Sequence, residues 1–592
     1  MNTPMHRFDY TDLTTAQIDR KLEEAEAGPD CASELSDALV GRALEIATED
    51  GLALAYAFED ETTLAVSVDG GTTVRAGYGA LTLNRLVFFS HVVPGERTGY
   101  NVFFDRDTGL VTVIEVWFPS DREETTATGE SVVVESREVQ REIHFGRVAG
   151  AGEDPPADSH HPTNRLEGTG LYWKQDTGVE TLEFYASVVS SNFVELTRHA
   201  DDLGYCGPSD YVMVDDRTFV YDRTECEFSG VLTAYAMDLY SETQVGVRLG
   251  FDENDELEYY VFRGSGEVVG HLPSLAPFDE DGRGGGHGSD DGDRATDAPR
   301  GQRTVYRPAR SLPHMTDADV HRAAEERTVA FPDDYDDVPR EMAGMLSGNP
   351  PPFSDLLVGE TFTLRYDDDG PAWEYEVADE SGLRWRPEGA ETWREEPYRA
   401  FEVDDRLVFF SHLHGGSRPR ACVKIALDLT NGLTTCVHSE MGTAYYGNEV
   451  SYDAHFGVAE MAGIEAPQYV RHEFTDELVG RGFTRTYSDE TTSMHLYTTP
   501  HSTAWTIYTD DQTLGTQWSA PAVYVKLRDG VYLMNVVEEA CNGAETCIVE
   551  NDKTTRAAGF SLHGGEAGVD LDVVGAVTRD LGRYDVGEFF GP

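Results

Sequence analysis

Arg85-Leu-Val-Phe-Phe-Ser-His91 returns unchanged as Arg406-Leu-Val-Phe-Phe-Ser-His412. Working outward, further matches keep the same order. Upstream, Leu39-Val-Gly41 answers Leu357-Val-Gly359; downstream, Asp105-Arg-Asp-Thr-Gly-Leu-Val-Thr112 answers Asp428-Leu-Thr-Asn-Gly-Leu-Thr-Thr435, and His144-Phe-Gly146 answers His455-Phe-Gly457. Ordered matches at a nearly constant spacing mean a duplicated module. The match continues: Leu166-Glu-Gly168 pairs with Leu478-Val-Gly480, Tyr185 with Tyr497, and Tyr211 and Phe219 with Tyr524 and Tyr532. Each copy therefore has a first part ending near HFG and a second part opening on its own LxG. The order is A1-A2-B1-B2, with LxG read as a strand-opening signal used four times.

Within the copies the pattern is strand and turn. Phe103 to Val113 reads as a hairpin, and in the second copy its turn is Asn431-Gly432, whose residues both tolerate positive φ. Glu183 to Val189, Tyr211 to Val214 and Tyr524 to Leu527 run apolar or alternate at strand length. Regular turn signals without long amphipathic helices predict an all-β chain, and closure into barrels removes exposed edges. The expectation is four small antiparallel β-barrels in two tandem two-barrel modules: A1 over 35–150, A2 over 165–277, B1 over 353–466 and B2 over 471–588. Short helical leads are expected over 1–34 and 313–352. The Gly- and Asp-rich stretch 278–312 reads as a flexible linker.

The chain has 592 residues, 108 acidic and 46 basic, for a net charge of −62. Lysine occurs only at Lys21, Lys174, Lys424, Lys526 and Lys553. Acid spread along the whole sequence repels itself in dilute buffer, and molar salt, with a screening length of about 3 Å, removes that cost. The composition resembles that of proteins from salt-in halophiles. It argues against a nucleic-acid partner, which requires a basic stripe. Seven cysteines without CxxC spacing predict reduced thiols. Met1 to Tyr10 has no apolar signal core and no stretch has the length of a membrane span, so a cytoplasmic protein with no membrane partner is expected.

The LVG opening, the LVFFSH strand, the Gly-Leu hairpin and the HFG ending together resemble the MoaF family, whose members carry N-terminal and C-terminal calycin-like barrels. The resemblance implies small-molecule handling or regulation, with a small aromatic or amine-derived ligand, and the family's name refers to molybdenum-cofactor biosynthesis. Trp373-Glu-Tyr-Glu376 also looks like the strand of phenolic acid decarboxylases, in which tyrosines hold a carboxylate while an Arg and a Glu handle the phenol. That implies a cofactor-independent lyase or isomerase in B1, requiring Tyr375, Arg384 and a Glu in one cavity. Glu374 and Tyr375 are adjacent on a strand and face opposite sides, which counts against it. A third reading is a structural or interaction protein with filled barrels. No enzyme activity is assigned.

The ligand-binding candidates are Tyr56, His91, Tyr185, Tyr375, Arg384, His412 and Tyr497. His91 and His412 end an apolar strand, as mouth-lining donors or general bases, or as strand-end caps. The tyrosines read as falling on opening strands, presenting hydroxyls to a cavity or packing a core. His144 and His455 in HFG read as a structural turn. His160-His161, His412-x-His414 and His287 lack the further ligand spacing of a metal site, and Asp333 to Asp337 lacks the calcium-loop pattern. No metal and no cofactor are expected, and the sequence leaves self-association open.

Overall fold

The computed structural model describes residues 13–119, 122–125, 131–134, 139–150, 160–163, 165–186, 190–197, 203–225, 230–252, 254–272, 346–367, 370–414, 420–441, 450–488, 491–509, 517–538, 544–565 and 568–590. Nearly all of this is β-strand. The expected linker, His287, Asp333 to Asp337 and most of the second helical lead lie outside the described residues.

Strands from Ala43 to Val148 close into an eight-stranded antiparallel barrel, A1, when Gln140–Val148 pairs with Ala43–Thr48. Strands from Thr361 to Met461 close the same way as B1. A2 runs from Thr169 to His271 and B2 from Arg481 to Arg583; both are eight-stranded rings, sealed by Thr243–Phe251 on Leu257–His271 and by Gln517–Arg528 on Val531–Glu538. Four barrels in two tandem pairs are thus the architecture. The one α-helix among the described residues, Thr15–Ala25, falls in the first lead. Thr14 and Gln17 form a capping box, and Ile18, Leu22 and Ala25 are buried on its inner face.

The four LxG motifs are one device. Gly41, Gly168, Gly359 and Gly480 have φ of 73°, 86°, 83° and 83°, the left-handed region that glycine enters without a Cβ clash. Each donates its N–H to a carbonyl at the end of its barrel's second strand: Phe58, Tyr185, Val377 and Tyr497, at 2.7–2.9 Å. The preceding Leu39, Leu166, Leu357 and Leu478 plug the barrel end, all at 1% exposure or less. LxG is therefore a turn before the first strand, which stitches that turn to the second strand.

Two local readings are corrected. HFG is not a turn: His144 and His455 lie inside closing strands, Gln140–Val148 and Val450–Met461. Gly146 and Gly457 face the first strand so closely that a Cβ would strike the carbonyl oxygens of Ala47 and Arg365. The glycine permits barrel closure rather than a chain reversal. The hairpin at Asn431-Gly432 is present, but only Gly432 has positive φ, at 77°. The reversal is instead a wider loop in which Asp428 Oδ1 accepts the Thr430 N–H at 2.8 Å and the Asp428 carbonyl accepts the Gly432 N–H at 2.7 Å.

Barrels of one module pack outer wall on outer wall. Phe88, Phe103, Ile114 and Val116 of A1 meet Val212, Val220, Leu232 and Val247 of A2; Phe401, Phe409 and Val437 of B1 meet Leu533, Val549 and Phe560 of B2. The modules join through A2 and B2, where Leu182, Phe184 and Val269 pack on Leu496, Tyr584 and Val586.

Candidate functional site at one end of barrel B1

Alternation sorts the side chains of each wall. In Ala372–Val377, Trp373, Tyr375 and Val377 point inward and Glu374 and Glu376 outward. The two glutamates pair on the outer wall with Arg386 and Arg384, their register neighbours in Gly382–Pro387. Arg384 Nε lies 2.6 Å from Glu376, its side chain 46% exposed and set over the Trp393 ring. Tyr375 is inside and Arg384 outside, so the constellation required by the decarboxylase-like reading is not assembled.

Inside B1, Tyr375 Oη stands 3.2 Å from His412 Nε2, and His412 Nδ1 donates to the Leu413 carbonyl at 2.8 Å. Nε2 therefore accepts the tyrosine proton. Burial pushes His412 down to about 4, so it is neutral at pH 7. A1 repeats the pair with Tyr56 Oη 3.1 Å from His91 Nε2, and His91 likewise falls to about 4. In both barrels the pair is buried in an aromatic core. Tyr185 is also interior, bonded to Tyr235 Oη at 2.7 Å in A2. Tyr497 in B2 accepts from Arg485 at 2.8 Å and donates to Glu550. The candidates thus occupy four separate interiors, apart from Arg384 on an outer wall.

The end of B1 beyond His412 gathers several imidazoles. Leu407–His414 continues inward with His414, Leu433–Met441 contributes His438, and Val450–Met461 contributes His455 opposite Cys436. His414 stacks on Trp385 at 3.9 Å between centroids, meets Trp373 edge-on at 5.1 Å, and lies 5.4 Å from His438 and 5.6 Å from His412. Burial first, then the neighbouring imidazoles, drives His414 down to about 2; burial lowers His438 and His455 as well. Two buried polar groups in this cluster, His414 Nε2 and the Trp385 indole N–H, have no hydrogen-bond partner among the described residues. A buried polar group left unpaired costs about 1–3 kcal/mol, so each calls for an explanation.

A1 closes the matching end with charge. His144 Nδ1 lies 2.5 Å from Asp50 and Nε2 3.2 Å from Glu115. Against the opposing pull of burial, bonds from Glu115 and Asp50 raise His144 to about 9, so it holds its proton. The residues of A1 corresponding to Trp373, Trp385, His414 and His438 are Leu54, Val66, Val93 and Glu115. Trp385 and His438 were not singled out from sequence. The available signal was the alternating run LTTCVHSEM, which puts His438 on the same face as Cys436.

An interior cavity of about 10 Å³ lies in A2 between Thr181, Glu195, Arg223 and Arg248. Room for about one water is no ligand cup. A larger open groove of about 500 Å³ runs outside A2 along Asp30–Ala32 and Leu257–Tyr260.

Fold and site define a tandem array of small closed β-barrels in which one barrel end carries an unpartnered imidazole–indole cluster. Residues 339–443, which take in most of B1, match the family model of the MoaF N-terminal domain. No curated protein matches the chain. Among solved structures, a putative beta-lactamase from Burkholderia vietnamiensis is 18% identical, covering 19% of this chain and 99% of its own, with a TM-score of 0.15. A protein of unknown function from the DUF3598 family of Nostoc punctiforme is 11% identical, covering 43% and 98%, with a TM-score of 0.21. Among the described residues no helix is long and apolar enough to cross a membrane.

Proposed function

We propose that this is a small-molecule-binding protein of MoaF type whose working barrel is B1, with A1, A2 and B2 as packed supports. The observation behind this reading is the pair of unpartnered buried groups, Trp385 Nε1–H and His414 Nε2, in one cluster at one barrel end. A flat aromatic compound bearing an amine or hydroxyl suits them: Trp373 and Trp385 offer ring faces, and neutral His414 accepts a proton that Trp385's donor complements. The outward Arg384, Glu374 and Glu376 leave the lyase reading without its acid–base groups.

Isothermal titration of the full chain in molar KCl with phenols and arylamines tests this. Saturable binding of one equivalent, lost in His414→Ala and Trp385→Phe and kept in Tyr56→Phe, is expected. Absence of saturable heat across both classes, or binding indifferent to both B1 variants, overturns it.

A further inference from the structure

We infer that the ligand taken at this end of B1 is an aromatic carboxylate, its anionic group seated on the Arg394 guanidinium. This deepens the reading of that end as the binding site and rests on it.

Arg394 opens the strand Arg394–Asp404 directly across the ladder from Trp385. Tyr398 and Ala400, even steps along the same strand, belong to the B1 core, so Arg394 starts on the inward side, at the rim. Its guanidinium carbon stands 4.9 Å from the centre of the Trp385 ring. Its charge also reaches His414, where it adds to burial, His412 and His438 in holding that imidazole neutral.

Arg394 is exposed and makes no hydrogen bond or ion pair with a described residue; Glu396, the next inward residue, is not within ion-pair distance. Such a cation stands out in a chain with 108 acidic and 46 basic residues. On the outer wall one strand away, Arg384 and Arg386 are both paired with glutamates. Barrel A1 ties the cation to the cluster. The A1 residue facing Val66 is Val74, so arginine enters B1 at the same rim where Trp385, His414 and His438 replace Val66, Val93 and Glu115.

A guanidinium held on a ring face keeps its planar edge of N–H donors open, and a carboxylate takes two of them at once. A flat acid lays its ring by Trp373 and Trp385 and its carboxylate on Arg394. That leaves the Trp385 indole N–H and His414 Nε2 for a ring amine or hydroxyl. A monoanion suits one guanidinium, whereas Glu440 and Asp453, whose charges act on His438 at this end, disfavour a phosphate dianion. In molar salt a screening length of about 3 Å removes the repulsion of the net charge and keeps contacts of this range.

Isothermal titration of the full chain in molar KCl compares para-aminobenzoate with its neutral methyl ester, which keeps the ring and the amine. One equivalent of the acid per chain, bound at least about tenfold more tightly than the ester, is expected. Arg394→Gln should bring the acid down to the affinity of the ester. Arg394→Lys should recover only part of the difference, because an ammonium lacks the planar fork; circular dichroism confirms that both variants are folded. Equal affinities, no saturable heat from the acid, or a preference that survives Arg394→Gln overturns the inference. In those cases saturable binding of the ester or of uncharged arylamines leaves the reading of B1 standing, and its absence sinks both.

Discussion

Modules A and B share a plan and a buried Tyr–His pair but differ in several other buried polar contacts. Between B1 and B2, Lys424 pairs with Glu545, both side chains fully buried, and Ser439 bonds to each. The corresponding residues of module A are Asn101, Leu232 and Val116. Module A instead spans its interface with Arg141, which reaches Asp222 at 2.7 Å and Thr224 at 3.0 Å, where module B has Tyr452 and Asn535. Inside the second barrels, Trp173 and Met237 of A2 stand where B2 has the ion pair Arg485–Glu550, at 2.6 Å. The lesson is that the duplicated backbone tolerates exchange of apolar for ionic contacts, provided both members of a buried pair change together.

The largest expected effect breaks that rule on purpose. Lys424→Met strands the Glu545 carboxylate in the B interface and should cost about 3–5 kcal/mol in urea unfolding at high salt. Lys424→Asn together with Glu545→Leu installs module A's residues and should recover most of it. If the double change is as damaging as the single, the two interfaces are not interchangeable and the comparison fails.

The four LxG turns give the next contrast. At Gly41 an added Cβ meets open space, so Gly41→Ala should cost only the left-handed strain, about 1 kcal/mol. At Gly168 the Cβ would strike the Leu272 carbonyl, and Gly168→Ala should cost about 3 kcal/mol or more. Equal losses in thermal melts would mean that packing behind the turn does not matter.

A pH scan then separates A1 from B1. His144 is raised to about 9, so its contribution is complete below the unfolded value of 6.5 and is lost as pH climbs through 9. Its counterpart His455 is lowered and adds no such term. His144→Gln should flatten the decline of stability between pH 6.5 and 9, and His455→Gln should leave it in place. The smallest effect belongs to Arg384: breaking its exposed pair with Glu376 should cost less than about 0.5 kcal/mol and leave ligand binding unchanged.

Much of this was legible in one dimension. The identical LVFFSH strands exposed the duplication, and the alternation in Trp373-Glu-Tyr-Glu376 showed that tyrosine and glutamates face opposite sides. HFG was misread because its glycine serves a contact with the first strand, about a hundred residues away in sequence, and no local signal records such a neighbour. His438 went unnoticed for the same reason: it joins His414 only across an intervening strand.

By itself, then, the sequence determined the repeat, the strand class and the side of the wall each residue takes, because a period of two is a local property of an extended chain. Ring closure decided the rest. Which imidazoles meet, which end is sealed by Asp50–His144–Glu115, and which keeps unpartnered nitrogens depend on the cross-strand register of eight strands, and that register is set by packing across the whole barrel.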